Sequence, residues 1–234
     1  MKRENIIAFA PYYLLVAILL IGLAAGGRQM VTVLAGQKAV PREHCIVIDA
    51  GHGGVDGGAT SCTGVLESQI NLEIALRLED LMHLLGYKTV MIRRTDISVY
   101  TKGETIAAKK VSDLKERVRI VNDTEGAVLV SIHQNTFSDS RYGGAQVFYP
   151  STDGSRQLAD AMQKMLVTNL NPGSNRQAKR GEGIYLLEHM ERPGVLIECG
   201  FLSNPAEEAK LRSEGYQKQL CCVIAGVISQ QINA

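Results

Sequence analysis

Residues 45–54 read CIVIDAGHGG, an apolar strand that runs directly into an aspartate, a histidine and a glycine-rich turn. Two later stretches share this design: residues 127–133 read AVLVSIH, and residues 195–198 read VLIE. Apolar runs of this kind are typical of strands that are buried on both faces of a parallel sheet. Because ligands of an open α/β sheet bind beyond the carboxyl ends of the strands, the ionisable residues at these ends indicate a shared site.

Strands and helices alternate along the chain around this pattern. Spacing near 3.6 residues predicts a long helix from Leu66 to Leu85 and others around Leu114–Val121, Leu158–Leu166 and Leu220–Ile228. Six strands are predicted: Cys45–Asp49, Lys88–Ile92, Ala127–His133, Ala145–Tyr149, Ile184–Leu187 and Val195–Cys199. This order predicts an α/β domain whose twisted, mostly parallel sheet is covered by helices on both faces.

The composition argues for one globular domain and against nucleic acid. The chain has 234 residues, of which 45% are hydrophobic, with 25 Lys and Arg against 24 Asp and Glu and no Trp. A nucleic-acid-binding domain usually carries a basic stripe, and single-strand binding relies on stacked aromatic side chains. We therefore expect no nucleic-acid partner.

The first residues differ from the rest of the chain. Lys2 and Arg3 precede an uncharged, apolar stretch from Ile6 to Ala25. About 20 apolar residues are enough to cross a bilayer, and basic residues before such a stretch place its amino end in the cytoplasm. The segment predicts either a membrane anchor or a cleaved signal peptide, and both alternatives export the remainder of the chain.

The chain therefore divides into three predicted parts. Residues 1–27 form the signal or membrane anchor, residues 28–43 a linker, and residues 44–234 the working domain.

The five cysteines of that domain form no C-x-x-C pair, and their number is odd: Cys45, Cys62, Cys199, Cys221 and Cys222. Buried free thiols are the favoured interpretation, because no spacing demands a disulfide framework.

The ionisable residues at the strand ends predict a metal site. Two histidines and one carboxylate with an open fourth position form a known catalytic zinc arrangement. His52 and His133 follow two of the strands, and Glu67 begins the first long helix. Glu198 sits in an apolar strand, where an ionised carboxylate is costly unless a cation lies nearby. We expect it to act as the base that takes a proton from water.

Other chemistries fit the sequence less well. The glycine-rich stretch departs from a dinucleotide-binding pattern, because Asp56 stands where that pattern needs glycine. No H-E-x-x-H helix is present, so the common metalloprotease signature is absent. From the residues alone, the chain is interpreted as a metal-dependent hydrolase.

Several motifs together resemble a known enzyme family. They are IVIDAGHGGVDGGA at residues 46–59, Glu67, SIHQN at residues 131–135 and VLIECGFLSN at residues 195–204. These motifs resemble those of the zinc-dependent N-acetylmuramoyl-L-alanine amidases, over roughly residues 45–230. The resemblance implies one zinc ion held by His52, Glu67 and His133, with Glu198 as the catalytic carboxylate. It also implies a peptidoglycan substrate outside the cytoplasm.

A finer resemblance is to the germination-specific, spore-cortex amidases of endospore-forming bacteria. It is carried by Thr101–Gly103, Arg176–Arg180 and the segment from Gly183 to Leu186, among others. It implies removal of stem peptides before muramic δ-lactam forms, in the space between the forespore membranes. Asp49 is expected to orient a metal ligand from outside the coordination sphere. Asn135 and Arg176 are candidate substrate contacts.

Two alternatives stay open at this point. A zinc carboxypeptidase-like peptidase would share the metal chemistry, and a non-catalytic wall-binding module would share the scaffold. The second would require loss of a ligand or of Glu198, and none is missing. The resemblance also leaves open whether an activating accessory protein is needed, because some members of the wider family require one.

Overall fold

The computed structural model describes residues 44–232. The predicted anchor or signal segment at residues 1–27 and the linker at residues 28–43 lie outside the described residues. Within the described part, none of the helices combines the length and the apolar character that a bilayer span requires.

One six-stranded sheet organises the described residues. Its strands are β1 (Cys45–Ala50), β2 (Lys88–Met91), β3 (Ala127–Asn135), β4 (Gln146–Tyr149), β5 (Lys179–Arg180) and β6 (Gly194–Phe201). The strand order is β2-β1-β3-β6-β4-β5. Strands β2, β1, β3 and β6 are parallel, and β4 pairs antiparallel with β6. The sheet is therefore mixed, and the three strands that carry the predicted site residues end at the same edge.

Helices cover both faces of this sheet, as the alternation of elements predicted. They are α1 (Glu67–Leu84), α2 (Ile106–Asp123), α3 (Ser155–Leu170), α4 (Tyr185–His189), α5 (Pro205–Leu211) and α6 (Glu214–Gln231). Ile46 and Ile48 pack in a core with apolar residues of α1, α3 and α6. Val47 points to the opposite face and packs with residues of α2 and α4. This alternation along β1 is the period of two expected for a strand buried on both faces.

The predicted strand at Ile184–Leu187 is wrong. Residues 185–189 form the short helix α4, and the edge strand β5 lies earlier, at Lys179–Arg180. A short apolar run does not distinguish a strand from a buried helical turn, and Leu186 and Leu187 are both buried against the same core. Strand β5 consists of two exposed charged residues. Such residues suit the edge of a sheet, but they do not form the apolar pattern by which strands were predicted.

The cysteines match the expectation in part. All five are free, and Cys199 and Cys221 are buried. Cys62 and Cys222 are exposed, so the expectation of a buried thiol is wrong for them. Cys222 follows Cys221 on α6 but lies on the exposed side of that helix.

Candidate metal centre

Three predicted ligands converge at the carboxyl edge of the sheet. His52 follows β1, His133 lies near the end of β3, and Glu67 is the first residue of α1. One ligand atom from each of them lies within 4.8 Å of the others. Glu67 lies between the histidines, with Oε2 at 3.3 Å from Nε2 of His52 and Oε1 at 3.0 Å from Nδ1 of His133.

This donor set fits a zinc ion. Two imidazoles and a carboxylate that leave a fourth position open are the usual ligands of catalytic zinc. In a tetrahedral site with bonds of about 2.0–2.2 Å, neighbouring ligand atoms lie about 3.3–3.6 Å apart. The ligand atoms of the three residues lie within 4.8 Å of one another, so the cluster is compact enough to converge on one ion.

His52 is held in an unusual conformation by a residue that the sequence analysis did not select. Its φ is +61°, in the left-handed region that few residues other than glycine adopt. Its Nδ1 lies 3.0 Å from Oδ2 of Asp56, so Nε2 is turned toward Glu67. A carboxylate on the outer nitrogen fixes the tautomer and orientation of a histidine ligand. In the sequence, the feature that hints at this contact is that Asp56 follows His52 by four residues.

Close approach at this site requires glycine at two positions. A Cβ on Gly51 would lie 2.2 Å from Nε2 of His133. A Cβ on Gly58 would lie 2.6 Å from Oε2 of Glu67, and the φ of Gly58 is +68°. Both residues let the loop after β1 fold tightly over the ligands.

Hydrogen bonds hold both carboxylate oxygens of Glu67. The backbone N–H of Ala59 donates to Oε2 at 3.0 Å, and that of Gln134 donates to Oε1 at 3.1 Å. Burial by itself would raise the pKa of Glu67, but His133 and His52 outweigh it and lower the pKa far below its usual range. Burial would likewise lower the pKa of His52, but Glu67 and Asp56 raise it to about 9. The carboxylates of Glu67 and Asp56 thus favour positive charge at the imidazole of His52.

Asp49 does not contact a histidine ligand directly. Its carboxylate accepts hydrogen bonds from Arg117 and, at 2.7 Å, from Ser131. Arg117 in turn donates to the carbonyl oxygens of Ala50, at 3.1 Å, and His52, at 2.7 Å. Asp49 therefore reaches His52 through Arg117 and the backbone of the loop.

Glu198 lies beside the predicted ligands on β6. It is the register partner of His133 on the neighbouring strand. Among the described residues, no group donates a hydrogen bond to its buried Oε2. Burial and the nearby Glu67 raise the pKa of Glu198 above its usual value, although His133 and His52 act in the opposite direction. Its carboxyl group is available to a molecule that enters from the cleft.

That cleft has a volume of about 330 Å³ and opens on the face covered by α2 and α4. His52, His133 and Glu198 are among the residues that line it. Its walls combine polar residues of α2 with apolar side chains: Leu114, Ile184, Leu186 and Leu196. The arrangement can enclose a small amide beside the metal ligands and the carboxyl group.

The two candidate substrate contacts lie elsewhere. Asn135 ends β3, and its carbonyl oxygen accepts a hydrogen bond of 2.8 Å from Leu202. Arg176 donates to the carbonyl oxygen of Gly143 at 3.1 Å, and its guanidinium lies 5.0 Å from the centre of the Phe201 ring. Neither residue lines the cleft. Their assignment as substrate contacts stays a prediction.

Comparison with known proteins identifies a family. The family described as N-acetylmuramoyl-L-alanine amidase matches residues 46–230. The germination-specific N-acetylmuramoyl-L-alanine amidase of Bacillus subtilis is 37% identical over 181 residues, which cover 76% of this chain and 76% of the relative. The amidase LytC of the same organism is 30% identical over 175 residues, and the match spans only 32% of its length.

Among solved structures, the amidase CwlD of Clostridioides difficile is similar. The alignment has a TM-score of 0.77 and 37% identity, and it covers 81% of this chain and 98% of that one. That amidase was solved in complex with the GerS lipoprotein.

Proposed function

The chain belongs to the N-acetylmuramoyl-L-alanine amidase family, and on that basis we propose that it hydrolyses the amide bond between the muramic acid lactyl group and L-alanine in peptidoglycan. One observation carries the proposal: the cluster of His52, Glu67 and His133 lies beside Glu198, and both histidines and Glu198 line one cleft. These are the parts that hydrolysis of an unactivated amide needs.

His52, Glu67 and His133 are proposed to hold one zinc ion. When bound there, zinc would supply Lewis-acid chemistry, which polarises an amide carbonyl and makes water nucleophilic at neutral pH. Asp56 orients His52 through the outer ring nitrogen, and the Ala59 and Gln134 backbone groups fix the carboxylate of Glu67. The ligands are thereby held in place before any ion arrives.

Glu198 is proposed to move the proton. It accepts a proton from the attacking water and returns it to the nitrogen of L-alanine, which leaves as a free amine while the lactyl group leaves as a carboxylate. A base is most effective when its pKa approaches the working pH, and burial moves the pKa of Glu198 in that direction. The apolar side chains of Leu114 and Leu196 in the cleft wall suit the methyl groups on either side of the scissile amide.

A product assay tests this function. The full chain, supplied with zinc, is incubated with a defined muropeptide, and the products are identified by mass spectrometry. Release of a peptide that begins with L-alanine, together with a muramic acid that carries a free lactyl group, supports an amidase. Cleavage within the stem peptide would make the chain a peptidase, and binding without cleavage would make it a wall-binding module.

We also propose that the enzyme acts outside the cytoplasm, anchored or released by residues 1–27. The support is the basic pair before the apolar stretch in the sequence. A reporter fused after Ala234 tests the topology, because it should be active only outside the cytoplasm. Reporter activity in the cytoplasm would put peptidoglycan out of reach.

The proposed setting is the spore cortex, in the space between the forespore membranes. The support is the similarity to a germination-specific amidase over 76% of both chains. Deletion of the gene should then remove muramic δ-lactam from the cortex, and normal δ-lactam would contradict this setting.

An accessory protein is proposed as well, because the similar CwlD was solved with a lipoprotein. Full turnover by the purified chain alone would remove the need for one.

A further inference from the structure

We propose that Lys110 is a specificity-determining residue, which binds a free carboxylate on the stem peptide close to the scissile amide. The inference rests on the proposed amidase function and names the part of the substrate that this side of the cleft would recognise. Lys110 belongs to α2, and it lines the same cleft as His52 and Glu198.

Lys110 stands close to the metal ligands but keeps an exposed ammonium group. Its Nζ lies 2.7 Å from Oδ1 of Asp56, whose other oxygen lies 3.0 Å from Nδ1 of His52. The ammonium is therefore two side-chain contacts from a metal-binding ring. Its side chain is 48% exposed, and Asp56 occupies only one of its three N–H groups.

The other lysine or arginine that lines the cleft, Arg117, is already bound to acceptors of the protein itself. Arg117 is buried, and its guanidinium donates to Asp49, to Asp113 and to the carbonyl oxygens of Ala50 and His52. Among the described residues that line this cleft, Lys110 is therefore the lysine or arginine that stays exposed enough to bind an incoming anion.

Of the four acidic residues that line the cleft, all but Glu198 are already paired with a basic side chain, which weakens their repulsion of that anion. Asp49 and Asp113 are each paired with Arg117. Asp56 is shared between His52 and Lys110. A substrate carboxylate at Lys110 would join an existing ion pair at a half-exposed position and form a charge-assisted hydrogen bond there.

The chemistry of the substrate supplies a matching group. In the stem peptide, L-alanine is followed by D-glutamate, whose α-carboxylate is either free or amidated. D-glutamate is the second residue of the stem peptide, so its α-carboxylate lies less than two residue lengths from the scissile bond. A peptide advances at most about 3.3–3.6 Å per residue, which keeps this carboxylate close to that bond. Lys110 would favour the free acid and would gain little from the amide.

Two substrates that differ only at this group test the proposal. The full chain with zinc is assayed on a muramoyl tripeptide whose D-glutamate is linked onward through its γ-carboxyl group, with the α-carboxyl group either free or amidated. The measured quantity is the ratio of kcat/KM for the acid to kcat/KM for the amide. Any effect of a substitution on metal binding cancels in this ratio. We expect the natural chain to prefer the acid by about 5- to 20-fold.

The variants separate recognition from a structural role. Lys110→Gln should bring the ratio close to one, and Lys110→Glu should bring it below one through like-charge repulsion. Lys109→Gln is the matched control, because that side chain lies over the Tyr100 ring, 5.1 Å from its centre, and does not line the cleft. Its ratio should equal that of the natural chain.

Two outcomes would overturn the proposal. A natural chain that cleaves both substrates equally would have no carboxylate preference, and an unchanged ratio in Lys110→Gln would reduce Lys110 to an ion-pair partner of Asp56. Failure of the amidase function itself looks different, because neither substrate would then release a peptide that begins with L-alanine.

Discussion

His133 and Glu198 are register partners on the parallel strands β3 and β6. Their side chains leave the same face of the sheet at the same level, because residues paired in register alternate together. A slip of one residue between these strands would send Glu198 to the opposite face, away from the cluster of His52, Glu67 and His133. Sheet register thus sets the distance between proposed metal binding and proposed proton transfer.

Replacing a proposed ligand should abolish tight zinc binding. We expect His133→Ala to weaken zinc affinity more than the roughly 10–100-fold typical of losing an outer partner. Metal analysis after dialysis and chelator competition would measure it. His83→Ala is the control, because its Nε2 is 2.6 Å from Oγ1 of Thr89, outside this cluster. Stoichiometric zinc with normal affinity in His133→Ala would refute the assignment.

Removal of Asp56 should weaken the site without removing a ligand. Asp56→Ala leaves Nδ1 of His52 without its partner at 3.0 Å, so the ring is no longer held with Nε2 toward Glu67. Zinc affinity should fall roughly 10–100-fold. Asp139→Ala removes a partly exposed carboxylate paired with Arg141, away from this site, and should leave the affinity unchanged. Equal affinities in the two variants would show that Asp56 has no part in the site.

Glu198→Gln should separate metal binding from catalysis. The amide keeps the shape of the side chain but cannot take a proton, so turnover should fall by roughly 10²–10⁴. Zinc content should stay near one ion per chain, and the exposed Glu191→Gln should behave like the natural protein. A large loss of zinc affinity would instead make Glu198 a ligand. Near-normal turnover would mean that another group is the base.

Asp49→Asn tests whether this residue serves stability, metal binding or both. The change leaves the buried Arg117 without full compensation on that side, and breaking a buried ion pair costs about 3–5 kcal/mol. Denaturant unfolding of the zinc-free protein should show most of this loss. If the free energy of unfolding were unchanged while zinc affinity fell, Asp49 would act on the metal site alone.

Glu208 should make stability depend on pH. Burial would raise its pKa, but Thr63, Ser61 and Arg212 outweigh it and hold the pKa below the usual 4.5. A depressed pKa stabilises the folded state above the unfolded value, and that contribution is lost as the pH falls through the folded pKa. Glu208→Gln should therefore cost about 1–3 kcal/mol at neutral pH and progressively less below pH 4.5.

Unfolding curves of the two proteins between neutral and acidic pH would measure this dependence. Glu214→Gln is the control, because its exposed pair with Lys218 contributes little in water. A difference between Glu208→Gln and the natural protein that stays constant with pH would contradict the prediction.

Much of the fold could be predicted because local patterns and tertiary burial agree. The run from Cys45 to Asp49 reads as a strand buried on both faces, and β1 is such a strand. The long stripe from Leu66 to Leu85 became α1, within one residue at each end. The predicted strand at Ile184–Leu187 is wrong because the sequence there shows only that the residues are apolar. Two adjacent buried leucines suit either a strand or a short helix.

The sequence by itself determined the chemistry that the site can perform. Residue types at the strand ends and the family motifs are sufficient to predict His52, Glu67, His133 and Glu198 as the site residues. Apolar strands that end in ionisable residues leave few other uses for them, because such groups are costly in a core without a partner.

Only the tertiary structure decided how that chemistry is arranged. The contacts of Asp56 with His52 and Lys110 depend on how the loop after β1 meets α2. Asp49 reaches His52 through Arg117, because the packing of α2 brings that side chain between them. Sequence spacing does not fix such contacts, because they join residues that are distant in the chain and meet only when the helices settle on the sheet.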